Sequence, residues 1–81
     1  MSEPVTVDVR NMQPRDRHPR IFAAFDALAP AEAILLVNDH DPKPLFYQFQ
    51  AERPGQASWQ PQEEGPERWV IRIEKAAGAD A

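Results

Sequence analysis

Nine prolines divide this 81-residue chain, and their positions limit where helices and strands can begin and end. Proline fixes φ at about −65° and lacks an N–H, so it suits a helix's first turn, a reverse turn or an edge strand. Pro19 precedes Ile21, Phe22, Phe25, Leu28 and Ala29, apolar positions spaced for one helix face. The spacing predicts a helix that starts at Pro19, is capped by His18 and stops before Pro30. Asp41-Pro42 repeats that arrangement ahead of Leu45, Phe46 and Phe49, predicting a second, shorter helix capped by Asp41 and ended by Arg53-Pro54-Gly55.

Between the proline-marked segments lie strand patterns. Val5, Val7 and Val9 alternate with polar residues, as in a half-buried strand, and residues 11–17, which include Pro14, read as a loop. Ala33-Ile34-Leu35-Leu36-Val37 is a continuous apolar run suited to the middle of a sheet, followed by the polar turn Asn38-Asp39-His40-Asp41. Ala57 to Gln60 is a short strand that Pro61 confines to an edge or a bulge. Residues 63–66 form a turn, and Trp69, Ile71 and Ile73 alternate along a final strand. The order β-α-β-α-β-β predicts an α+β two-layer sandwich. A right-handed crossover makes the first two strands parallel, within a mixed four-stranded sheet covered on one face by both helices. Residues 1–75 are expected to be a single domain and 76–81 a disordered tail.

A chain this short leaves little spare core. Apart from alanine it has 22 apolar side chains: five Val, four Ile, four Leu, four Phe, two Met, two Trp and one Tyr. A domain of this size buries only about 60% of the surface its unfolded chain exposes, so nearly all must pack. There is no cysteine, which excludes disulfides, thiolate metal sites, persulfide chemistry and a cysteine nucleophile. The first residues lack the charged and apolar regions of a signal peptide, and no apolar run approaches a membrane span of about 20 residues. A cytoplasmic protein is expected. The net charge of −4 argues against nucleic-acid and anionic-membrane partners and leaves a small ligand or a protein partner.

Both histidines fall in the segments expected to leave the carboxyl ends of the first two strands, where α/β sheets usually place ligands. At a helix N-terminus the His18 imidazole is expected in the neutral, metal-binding form. His18 and His40 with Asp39 and Asp41 offer two nitrogens and two carboxylates, a donor set for a transition metal such as zinc, iron or copper. The alternative is that His18 is a cap and His40 a turn hydrogen bonder. Arg15, Arg17 and Arg20, beside the open N–H groups of a helix starting at Pro19, make a candidate anion-binding corner, with solvated arginines as the alternative. Residues two apart in a turn rarely converge, so Asp39 and Asp41 are a poor acid/base pair. No nucleophile triad, phosphate-cradling glycine loop or dinucleotide fingerprint is present. Tyr47, Trp59 and Trp69 read as core or sheet-face residues, or else as an exposed patch for a partner.

Arg17-His18-Pro19-Arg20-Ile21-Phe22, Phe25 to Pro30 and above all Leu36-Val37-Asn38-Asp39-His40-Asp41-Pro42 carry a resemblance. With Pro44-Leu45, Tyr47-Gln48, residues 51–55, Trp59 and Gly65-Pro66-Glu67-Arg68-Trp69, they resemble, over about residues 6–74, the bacterial family catalogued as domain of unknown function 2249. One departure is Ala31, where glycine is expected in the turn before the second strand. The resemblance implies kinship to the TusA (SirA-like) sulfur carriers and their β-α-β-α-β-β sandwich. Family members stand alone, in tandem or beside hemerythrin-like domains, which implies a link to iron, oxygen or nitric oxide metabolism.

The sulfur carriers hold Cys-Pro-x-Pro at the first helix cap, whereas this chain has His18-Pro19-Arg20-Ile21. Histidine cannot carry a persulfide, so the resemblance implies the position without the sulfur chemistry. The expectation is an accessory, non-catalytic domain that binds a ligand, metal or partner through His18, His40, Arg17 and Arg20. The alternative is a pure protein-interaction module, docking a hemerythrin-like or respiratory redox protein, in which both histidines are structural.

Overall fold

The computed structural model describes residues 3–77. Its elements are β1 (Val5–Asp8), α1 (Pro14–Asp26), β2 (Ala33–Asn38), α2 (Lys43–Glu52), β3 (Ala57–Glu64) and β4 (Trp69–Lys75). They form one mixed four-stranded sheet in the order β1-β2-β4-β3. β1 runs parallel to β2, pairing Val7 with Leu36, while β4 runs antiparallel to both β2 and β3. The expected element order and two-layer arrangement are observed. Residues 78–81 of the expected tail lie outside the described residues.

The core explains why both helices share one sheet face. Val7, Ile34, Leu36, Ile71 and Ile73 project from one side of β1, β2 and β4, with Val9 just beyond β1, into a single cluster with Ile21, Phe22 and Phe25 of α1 and Leu45 and Phe49 of α2. Phe49 is the shared contact: its ring stacks on Phe22 at 4.3 Å and meets Phe25 edge-on at 5.1 Å. Arg53 lies 5.1 Å over the Phe22 ring and bonds Asp26 at 2.7 Å, clasping the ends of the two helices together.

Both helix starts differ from the sequence expectation. α1 begins at Pro14, five residues before Pro19, so His18 lies inside the helix and is not its cap. Pro14 occupies the permitted first turn, whereas Pro19 stands inside the helix, where it cannot donate to the Arg15 carbonyl. That local cost is overridden by burial. Arg17, Ile21 and Phe25 form a continuous stripe at i, i+4 and i+8, and all three are buried. The stripe was hidden in the sequence because its first member is an arginine. The helix also ends at Asp26 rather than at Pro30, although Leu28 beyond it still packs against the core. In α2 the cap position belongs to Pro42, and no side chain caps it, so Asp41 is not the capping residue.

β3 passes through Pro61 to Glu64, longer than expected, and shows both accommodations proline requires. It is an edge strand, and its register with β4 shifts between Pro61 and Glu63. Ala31 takes φ 72°, the left-handed conformation that glycine adopts without steric penalty, which is the physical reason to expect glycine there. Its N–H is held by the carbonyl of Lys75 at 2.9 Å, so the turn cannot relax away from this conformation without losing a bond to β4. Ala31→Gly is expected to stabilise the domain by about 0.5–1 kcal/mol, relief of left-handed strain less the added freedom of the unfolded chain. Thermal unfolding of the variant checks this as a rise in Tm.

Candidate functional site

The site is built around Arg17. It sits in the second turn of α1 with only 8% of its surface exposed, and its guanidinium points back toward the carboxyl ends of β1 and β2. Nε donates to the carbonyl of Met12 at 3.0 Å and Nη2 to the carbonyl of Arg10 at 3.2 Å, which fastens the β1–α1 loop. Nη1 donates to Oδ1 of Asn38 and to Oδ1 of Asp39, both at 3.0 Å, which fastens the loop after β2. Asn38 is itself buried, and its Oδ1 also accepts from the Asp39 N–H at 2.9 Å. Arg17 has donors enough for these acceptors in a fixed planar fork, an arrangement that lysine cannot reproduce.

This network positions the first histidine pair. The Asp39 carboxyl is lowered to about 2, chiefly by its bond to the Arg17 guanidinium and next by its bond to His40. Being ionised, it accepts, and Nδ1–H of His40 donates to it at 2.7 Å. The His40 side chain is 63% exposed, and its Nε2 has no partner among the described residues. A carboxylate holding one ring nitrogen while the other faces solvent is the orienting arrangement found behind metal-ligating histidines.

His18 is held differently. Its Nδ1–H donates to Oε1 of Gln48 at 2.6 Å, and Gln48 Nε2 donates in turn to Glu52 at 2.9 Å. The imidazole is half-buried and ties α1 to α2. The dipole argument for His18 fails with its placement, because the ring is not at a helix terminus.

The expected donor set is therefore only partly assembled. Asp39 and His40 are in contact, but no group of three or more His, Asp or Glu side chains among the described residues is placed to share a metal ion. Asp41 instead lines a pocket of about 470 Å³ with Lys43, Phe46, Trp59, Pro61, Glu64 and Trp69. The expected anion corner is not assembled either. Arg17 is consumed internally, α1 starts elsewhere, and Arg15 and Arg20 are exposed with no ion-pair partner among the described residues.

The residues that sequence reasoning missed as site components are Asn38, Gln48 and the carbonyls of Arg10 and Met12. Asn38 and Gln48 belong to the segments that carry the family resemblance, but nothing in their spacing shows what they bond. No helix among the described residues is long and apolar enough to cross a membrane.

Comparison with known families bears on the same segment. A family model described as "Uncharacterized conserved protein (DUF2249)" matches residues 6–75. The chain belongs to this family. No curated protein and no solved structure matches it. The most specific motif of the DUF2249 resemblance, Asn38-Asp39-His40-Asp41-Pro42, now has a local physical account: its first two residues receive the Arg17 guanidinium and its third is oriented by the second.

Replacing Arg17 by Met is expected to cost about 2–4 kcal/mol in urea unfolding, because a buried amide oxygen and two carbonyls lose their charged donor. The pH dependence should change with it. The Asp39 pKa of about 2 lies below the unfolded value of about 3.9. The ion pair thus contributes fully above that unfolded value and fades as pH falls toward the folded one. In Arg17→Met the carboxyl titration of Asp39, followed by NMR, should move up and the acid limb of stability should flatten.

Proposed function

We propose that this DUF2249 chain is a non-catalytic binding module that meets a protein partner through the carboxyl end of β1 and β2, with His40 as the contact group. The observation that carries the reading is the chain of fixation from buried Arg17 through Asp39 to the exposed His40 imidazole. A side chain bonded to a neighbour that is itself held loses less freedom on binding than a free one, so its Nε2 is preorganised as a ligand or hydrogen-bonding atom. A single imidazole does not make a metal site. The remaining ligands of any iron, copper or zinc centre would come from the partner, with His40 supplying one position.

The resemblance to TusA-like sulfur carriers supports an accessory role at this end of the fold, and the absence of cysteine argues against sulfur relay. The occurrence of family members beside hemerythrin-like domains supports a partner from bacterial iron, oxygen or nitric oxide metabolism in the cytoplasm. The acidic balance of the chain supports a protein or small ligand over nucleic acid or an anionic membrane.

A second reading is favoured by His18. Its bond to Gln48 joins the two helices, so this histidine acts structurally, and a pure docking module needs no metal at all. Cobalt(II) titration of the untagged protein, followed by paramagnetic broadening of the imidazole signals, distinguishes the two. Under the leading reading, weak binding centres on Nε2 of His40 and disappears in His40→Ala. Broadening centred on His18, or unchanged in His40→Ala, contradicts it. His18→Ala is expected to lower stability by about 0.5–1.5 kcal/mol while leaving the His40 response intact.

A further inference from the structure

The pocket beside α2 has a chemistry of its own and does not include His40. It lies where the β3–β4 hairpin closes against the start of α2: Asn38 pairs with Trp69, and Trp69 pairs with Glu64. The register shift between Pro61 and Glu63 decides which carboxylate faces it. Directly paired residues share a sheet face, so Glu64 joins Trp69 on the helix side, while Glu63, opposite Val70, lies on the other side within 3.6 Å of Arg68.

Trp69 is set by Gly65. A Cβ at Gly65 would come within 2.7–2.9 Å of the indole, and the Trp69 Nε1–H donates to the carbonyl of Pro66 at 3.3 Å. Trp59 meets Phe46 edge-on at 5.2 Å, completing three aromatic rings around a pocket of about 470 Å³. Two carboxylates, Asp41 and Glu64, lie at its exposed margin, and neither has an ion-pair partner among the described residues. Elsewhere Asp8, Asp26, Asp39, Glu63 and Glu74 are each paired with an arginine. Lys43 is the single opposing charge. On the far side of Phe46 and Trp59, a second hollow of about 420 Å³ is lined by Arg53 and no carboxylate.

We infer that the Phe46–Trp59–Trp69 pocket binds a methylated ammonium group. Ring faces attract cations, and two unpaired carboxylates give the pocket a net negative lining. Ring walls offer few acceptors, and the Trp69 indole N–H is already engaged. A bare ammonium or guanidinium can donate to Asp41 and Glu64 at the margin but must give up hydration to enter among the rings; a quaternary ammonium carries no N–H and needs no acceptor, so it gains most from the ring faces. The group arrives either on a free solute or on a methylated lysine side chain.

Trp59 and Trp69 are the only two tryptophans, so indole fluorescence reports occupancy directly. The probes are choline and a trimethyllysine peptide, against ammonium, guanidinium, the unmethylated peptide and benzoate, at low and constant ionic strength. Quenching by choline or by the trimethyllysine peptide, stronger than by the other probes, supports the inference, and the tighter of the two names the source. Glu64→Gln and Asp41→Asn, both exposed positions, should each weaken binding about 2- to 5-fold. Lys43→Ala should strengthen it by a similar factor, since it removes a like charge. Preference for benzoate, weaker binding in Lys43→Ala, or affinity indifferent to all three substitutions overturns it. None of these outcomes depends on His40, so the pocket and the His40 reading stand or fall separately.

Discussion

A guanidinium taken out of water holds the carboxyl ends of β1 and β2 together. Arg17 occupies the first position of the buried stripe of α1, where a chain with so few large apolar side chains would be expected to spend one. Burying its charge costs several kcal/mol unless the donors find acceptors, and here they reach two carbonyls, an amide oxygen and a carboxylate. Those acceptors come from two segments separated by the whole of α1. One group thereby fixes the exits of both parallel strands to each other and to the helix between them. Asp39 is about half solvent-facing, so its share is screened; the neutral acceptors set most of the geometry.

How much of this could be read in the sequence depends on whether the governing interaction was local. Apolar spacing marks the strands and helix cores, the missing N–H of Pro61 marks an edge or bulge, and the crossover rule makes the first two strands parallel; the place of β4 between β2 and β3 is not legible from local pattern. The start of α1 was misplaced because a helix stripe was sought in apolar residues and its first member is Arg17, whose partners lie up to 22 residues away. His18 was misplaced with it. The polar residues 11–17 read as a loop, yet α1 starts within them at Pro14, where Arg17 and His18 find their tertiary partners. The glycine expected at position 31 comes from the family resemblance, and the left-handed φ of Ala31 gives that expectation its physical reason.

The candidate site shows the same division. The Asn38–Asp41 box is legible as a polar turn with His40 as a turn hydrogen bonder, but its partner, Asp39, is not. That Asp41 turns away to a different pocket is not legible either, because the direction depends on the β3–β4 hairpin. There the register shift beside Pro61 moves Glu64 to the helix face and brings Trp59, Trp69 and Phe46 together across three elements. A one-residue change of register would put Glu63 in its place and dissolve the pocket. The two candidate sites are thus independently specified, one by a buried charge and the other by a bulged edge strand.

The central claim is that Arg17 and Asp39 act as one unit in fixing the loop that presents His40. A double-mutant cycle on the intact chain, combining Arg17→Met with Asp39→Ala and measuring urea unfolding at neutral pH, tests it directly. The account predicts that the two losses are not additive, with a coupling energy greater than about 0.5 kcal/mol. Additivity within about 0.5 kcal/mol would mean that the two side chains stabilise the fold independently, and would contradict it.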